Sequence, residues 1–152
     1  MNTAPDQKFD FSVDELSSVE QKDLYAYWLE IKKNNLMPAR KDFDPMKLPK
    51  VLPFITMEDV LADPLRFKVR LIGSKCQTPP NFMGKYVNDF PEMKRVTDFL
   101  TRGTEMRTPY FYYNTFKSNG DFMRHYSSLV LPFSDDGENV NIMMGCISFV
   151  DT

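Results

Sequence analysis

Most of the residue types that carry chemistry are scarce in this 152-residue chain, which has one histidine and two cysteines. His125, Cys76 and Cys146 lie far apart, without the paired spacing of a tetrahedral zinc set, so no metal site is expected. Two cysteines do not make a disulfide framework, and the expected compartment is the reducing cytoplasm. Long apolar runs are missing as well. The longest, residues 127–133 and 142–150, fall well short of the roughly 20 residues a bilayer span needs. Residues 1–12 have neither the basic start nor the apolar centre of a secretory signal. Charge of one sign is absent too: 19 basic residues stand against 21 acidic ones, with no basic run, which argues against nucleic acid as a partner. Gly73-Ser74-Lys75 lacks the spacing of a phosphate-cradling loop, and no Gly-x-Gly-x-x-Gly occurs.

Large apolar side chains, by contrast, are plentiful. Thirteen Phe, seven Tyr and ten Met, within a hydrophobic share of 42%, are enough for one packed core. Residues 1–11 are polar with scattered Phe and read as a flexible arm; residues 12–152 read as a single domain.

Ser12-Val13-Asp14-Glu15 and Ser18-Val19-Glu20-Gln21 both fit a capping box, so a helix is predicted to begin at one of them. Leu24, Tyr27, Trp28 and Ile31 give that helix an apolar stripe that must dock on something, the sheet or a second copy of the chain. Pro38, Pro45, Pro49 and Pro53 then exclude a long helix, leaving short turns, one of them after Asp44-Pro45. Residues 54–60 and 67–73 read as an antiparallel hairpin joined at Ala62-Asp63-Pro64-Leu65. In the second strand Phe67, Val69 and Leu71 are expected on the buried face and Arg66, Lys68 and Arg70 on the other. After an irregular stretch containing Pro79-Pro80, residues 91–102 have the spacing of a helix. Residues 109–117, 122–133 and 140–150 read as a three-stranded meander, with turns at Ser118-Asn119-Gly120-Asp121 and Asp135-Asp136-Gly137-Glu138. Its strands are apolar on both faces, so the central helices should cover one face and the Trp28 helix part of the other.

Four motifs in order carry a resemblance: Leu24-Tyr25-Ala26-Tyr27-Trp28, Leu36-Met37-Pro38-Ala39-Arg40, Phe67-Lys68-Val69-Arg70-Leu71-Ile72-Gly73-Ser74 and Leu129-Val130-Leu131-Pro132-Phe133. With the order helix, two strands, helical region, three strands, they make the chain resemble a bacterial family of single-domain PAS-like proteins. The resemblance implies an α+β fold: a PAS-like five-stranded antiparallel sheet, central helices on one face, and an N-terminal helix. It further implies a sensory or regulatory module in signal transduction that binds a small ligand, a partner protein or both. It transfers no catalytic residue.

Among the candidate groups, His125 sits mid-strand with no nucleophile in view, so neither haem ligation nor general-base chemistry is expected of it. Arg40 and Arg70 are expected to pair with Asp42, Asp44 or Asp59. The methionines suggest an adaptable apolar pocket between Met83, Tyr86, Phe99, Tyr112, Tyr126, Ser128 and Met144. Leu24, Tyr27, Trp28 and Ile31 are the interface candidates for a homodimer. A non-enzymatic sensor with a signalling protein as partner is the first reading. The alternative is a small cone-shaped α+β isomerase or hydrolase with a closed apolar pocket, working through His125 or Asp98.

Overall fold

Ser18 turns the chain into its first helix: its Oγ accepts the Gln21 amide at 3.1 Å, and helix α1 runs over Val19–Lys32. Ser12 serves a shorter element, a single 3-10 turn at Val13–Glu15 closed by its own amide donating to Glu15 Oε2 at 2.8 Å. Both capping signals are therefore used, and only the second starts an α-helix. The computed structural model describes residues 7–76, 81–117 and 123–150. The expected turn at Ser118-Asn119-Gly120-Asp121 and the Pro79-Pro80 pair lie outside the described residues.

Five antiparallel strands follow: β1 (Ile55–Leu61), β2 (Arg66–Ile72), β3 (Tyr110–Lys117), β4 (Met123–Phe133) and β5 (Ile142–Val150). They lie in the order β2-β1-β5-β4-β3, so the last strand enters between the hairpin and the other two members of the meander. Helix α2 (Lys94–Met106) lies between the hairpin and the meander in sequence, after 3-10 turns at Val87–Asp89 and Pro91–Met93. Pro91 thus opens a 3-10 turn, and the α-helix begins three residues later than its spacing suggests.

Strand alternation sends the two faces to different partners. Leu129, Leu131, Phe133, Met144 and Cys146 are buried on the α1 side, where Trp28 Nε1 donates to Pro132 O at 3.0 Å. Gln21, fully buried, adds a polar tether: its Nε2 donates to Ser127 Oγ at 3.1 Å and to Cys146 O at 3.0 Å. Its Oε1 meanwhile accepts the Ser17 amide at 2.8 Å, so this side chain spends itself on docking and not on a reciprocal box with Ser18.

The stripe of α1 is consumed by this packing. Leu24 is fully buried, Trp28 and Tyr27 nearly so, and Ile31 is half-buried against the same core. Leu24, Tyr27 and Trp28 are therefore intramolecular core residues, which removes them as a dimer surface, while Ile31 keeps part of its side chain exposed.

Residues 7–11, expected in a flexible arm, are tied down. Lys8 exchanges backbone hydrogen bonds with Phe111 at 2.8 and 2.9 Å, and Phe9 and Phe11 pack on Tyr110 and Tyr25 with ring centroids 5.5 and 5.3 Å apart. This short segment covers the outer edge of β3.

Between α1 and β1 the prolines produce 3-10 turns at Arg40–Asp42, Pro45–Lys47 and Leu52–Phe54, the second capped by Asp44 accepting the Met46 amide at 3.0 Å. Arg40 rests on Phe43, 5.5 Å from the ring centroid, and meets no carboxylate among the described residues, contrary to the expected ion pair.

Between Met57 and Glu58 the β1–β2 register slips: Met57 faces Leu71, whereas Glu58 faces Val69. Arg70 is the extra residue of a β-bulge, and it reverses the alternation beyond it. Phe67, Val69 and Ile72 lie on the α2 side, while Leu71 is exposed on the other, so the expected grouping of Leu71 with Phe67 and Val69 does not hold.

Candidate functional site

The sheet face opposite α1 is the floor of a cavity of about 520 Å³. All five strands contribute to it: Thr56 and Glu58 from β1, Val69 and, past the bulge, Ile72 from β2, Gly145, Ile147 and Phe149 from β5, Met123, Tyr126, Ser128 and Val130 from β4, and Tyr110, Tyr112 and Thr115 from β3. The roof comes from Phe82, Val87 and Met93 and from Val96 and Leu100 on α2. That roof is fastened to β2, because the Val69 amide donates to Lys85 O at 2.8 Å, the Gly84 amide to Val69 O at 2.9 Å, and the Phe67 amide to Asn88 Oδ1 at 2.9 Å. Gly145 leaves the floor open: a Cβ there would come within 2.7 Å of Thr56 Oγ1 and 3.4 Å of Ser128 Oγ. The volume suits a small organic molecule.

Tyrosine rings line one side of the cavity. Tyr112 stands 6.0 Å from Tyr110, 6.2 Å from Tyr126 and 4.7 Å from Phe99, centroid to centroid. Asn114 Nδ2 donates to the Tyr126 hydroxyl at 3.1 Å. Burial raises the hydroxyl pKa values of Tyr110 and Tyr112 well above the ordinary range, and that of Tyr126 to a lesser degree, so all three remain phenols at neutral pH.

Glu58 is the exceptional group. Its carboxyl lies deep among protein atoms, and the surface it retains lines the cavity. Burial, with a smaller contribution from the neighbouring charge of Asp59, pushes its pKa up to about 8. Among the described residues nothing donates a hydrogen bond to it. Asp59, on the opposite side of the strand, takes Arg70 Nε at 3.2 Å, which keeps that guanidinium away from Glu58. Among the described residues the lining contains no Lys, Arg or His, and Glu92 is its other charged residue. Cys76 also lines the cavity, and burial drives its thiol pKa up to about 12, the reverse of an activated nucleophile.

Of the pocket candidates drawn from sequence, Tyr112, Tyr126 and Ser128 line this cavity. Phe99 packs just behind Tyr112 without lining it. Met144 is fully buried on the α1 side, because its neighbour Met143 takes the other face. Met83 is exposed, and Tyr86 lies under Arg66 and Lys68, whose cations stand 4.8 and 6.0 Å from its ring centroid. His125 is exposed and outside the lining, and Asp98 is exposed on α2 and paired with Lys94 at 3.3 Å. Neither can act in the cavity, so the isomerase or hydrolase reading loses both of its proposed residues.

Sequence reasoning passed over Thr56 and Glu58. The alternation Ile55-Thr56-Met57-Glu58 is that of a strand with one apolar and one wet face, whereas both faces are covered here. Among the described residues no helix is long and apolar enough to cross a membrane. No curated protein matches the chain. A family model described as PAS domain matches residues 16–148, from just before α1 to near the end of β5. The chain belongs to the PAS domain family, a family of sensory and regulatory domains.

Proposed function

We propose that this PAS domain is a non-enzymatic sensor in which a small, mostly apolar molecule occupies the cavity beneath α2 and alters how the domain engages a signalling protein. The observation that carries this reading is the cavity of about 520 Å³, lined mainly by apolar side chains with a few polar groups. Its roof is the element best placed to report occupancy, since Val96 and Leu100 of α2 face the ligand space while Asp98 and Arg102 of the same helix face solvent. The two cysteines are buried and free, which supports a reducing, cytoplasmic setting.

The enzyme alternative keeps one group, Glu58, since an acid held neutral can serve as a general acid. Among the described lining residues it has no histidine and no nucleophile of lowered pKa beside it, so binding without turnover is the better-supported reading.

The test is native mass spectrometry of freshly purified protein, together with titration of the neutral fluorescent probe N-phenyl-1-naphthylamine. A discrete added mass, or saturable probe binding that is abolished by the cavity-filling change Val96→Trp, is the expected result. Failure of the probe to bind the folded wild type, with no added mass, would sink the ligand-sensing reading and leave a protein-docking module.

A further inference from the structure

The chemistry of the lining narrows the ligand class, and this step rests on the ligand-sensing reading above. We infer that the cavity selects a neutral, largely apolar molecule and holds one of its hydrogen-bond-accepting oxygens, such as a carbonyl, against the carboxyl of Glu58.

Three observations carry it. First, the described lining residues include two acids and no cation, so an anionic ligand would place its charge in a mostly apolar space without a cationic partner among them. Second, the Glu58 carboxyl is embedded yet accepts no hydrogen bond from the described residues, so its hydrogen-bonding capacity is spent on whatever occupies the cavity. Third, the other polar groups that the described floor residues offer include the hydroxyls of Tyr110, Tyr112, Tyr126, Ser128, Thr56 and Thr115, which hydrogen-bond without bringing a charge to the site. An ammonium ligand is the competitor. It would have to shed its water into this lining and draw the proton off Glu58, because burial keeps that carboxyl mostly protonated at neutral pH.

Protonation makes Glu58 a donor, so binding of a neutral acceptor is linked to pH. The groups facing it can be named from each surrounding element. Asp59 follows it on β1 and is held by Arg70 of β2; Tyr110 and Tyr112 come from β3 and Tyr126 from β4, with Arg95 of α2 acting on Tyr126; Glu92 precedes α2, and Cys76 follows β2. Of these, the tyrosines and Cys76 titrate above the range in which Glu58 loses its proton.

The experiment uses three compounds of one shape, 4-phenylbutanamide, 4-phenylbutanoate and 4-phenylbutylamine, to displace N-phenyl-1-naphthylamine from the wild type and from Glu58→Gln at about pH 6 and about pH 9. The amide is expected to displace the probe at the lower pH. Its affinity should fall about tenfold at the higher one, where the competent, protonated fraction of Glu58 is about a tenth. In Glu58→Gln, whose amide donates at any pH, the amide compound should bind alike at both. The butanoate should fail throughout. The wild-type pH series stands alone should the variant not fold. Tightest binding by the amine, strengthening with pH and lost in Glu58→Gln, would overturn the inference in favour of an organic-cation site. Amide binding indifferent to pH in the wild type would overturn it as well, while leaving ligand sensing intact. If the probe never enters the wild type, the parent reading fails and takes the inference with it.

Discussion

Arg70 and Asp59 are joined at 3.2 Å on the sheet face opposite the cavity, at the place where β2 takes one residue more than β1. The pair is half-exposed and contributes little by itself, within about 1 kcal/mol. Its position matters more, because the bulge hands Ile72 to the cavity and Leu71 to the outside.

That assignment separates neighbouring substitutions sharply. Leu71→Lys should change stability by less than about 1 kcal/mol, while Val69→Lys, placing an ammonium in the cavity floor without a prepared partner, should cost several times as much. Urea unfolding of the two variants is the check. Equal losses would show that Leu71 is a core residue and that the register slip is wrong.

Glu58 makes stability depend on pH in a stated direction. Its pKa rises from the ordinary carboxyl value of 4.5 to about 8 on folding. Below the lower value both states are protonated and the contribution is fully present; between the two, the unfolded chain ionises while the folded one stays neutral, so stability is lost as pH rises. Each pH unit in that window is worth up to about 1.4 kcal/mol. Glu58→Gln removes the titration. It should match the wild type near the bottom of the window and exceed it by roughly 2–4 kcal/mol near the top, after allowance for water in the cavity. Thermal melts of both proteins across the window measure this, and parallel profiles would contradict it.

Trp28 joins α1 to the sheet by volume and by one hydrogen bond. Trp28→Ala is expected to cost about 3–5 kcal/mol and Trp28→Phe less, the latter reflecting mainly the lost bond to Pro132 O and a smaller ring. Because α1 covers the face away from the cavity, Trp28→Phe should leave probe binding in the cavity unchanged. A variant that stayed folded but no longer took up the probe would show that the two faces are coupled.

Neither thiol should react in the native state. Cys76 is buried with its pKa raised to about 12, and Cys146 is fully buried with its pKa raised as well. A colourimetric disulfide reagent at mildly alkaline pH should label both only at the rate of unfolding. Rapid labelling of Cys76 alone would mean that the cavity opens to solvent while the sheet remains intact.

The elements were largely legible because local physics dictates them. Ser18 caps a helix whatever follows, Leu24 and Trp28 recur at helical spacing, and Leu129, Leu131 and Phe133 alternate against Tyr126, Ser128 and Val130 in sequence as they do in the sheet. Three of the seven expected pocket residues line the cavity, all of them from β3 and β4, whose pairing register runs without a slip. Met83, Tyr86 and Phe99 came from the roof, whose facing depends on how the segment folds back on β2, and Met144 from a methionine pair whose inward member the pattern does not identify.

The sequence by itself determined one α+β domain with an N-terminal helix, a hairpin and a meander, since propensity, capping and hydrophobic period are properties of neighbours along the chain. Only the tertiary structure decided that β5 enters beside β1, that residues 7–11 close the far edge, that Arg70 bulges, and that Glu58 ends in an apolar cavity facing three phenols. A glutamate's charge state and a strand's buried face depend on what stands opposite them, and those partners come from distant parts of the chain.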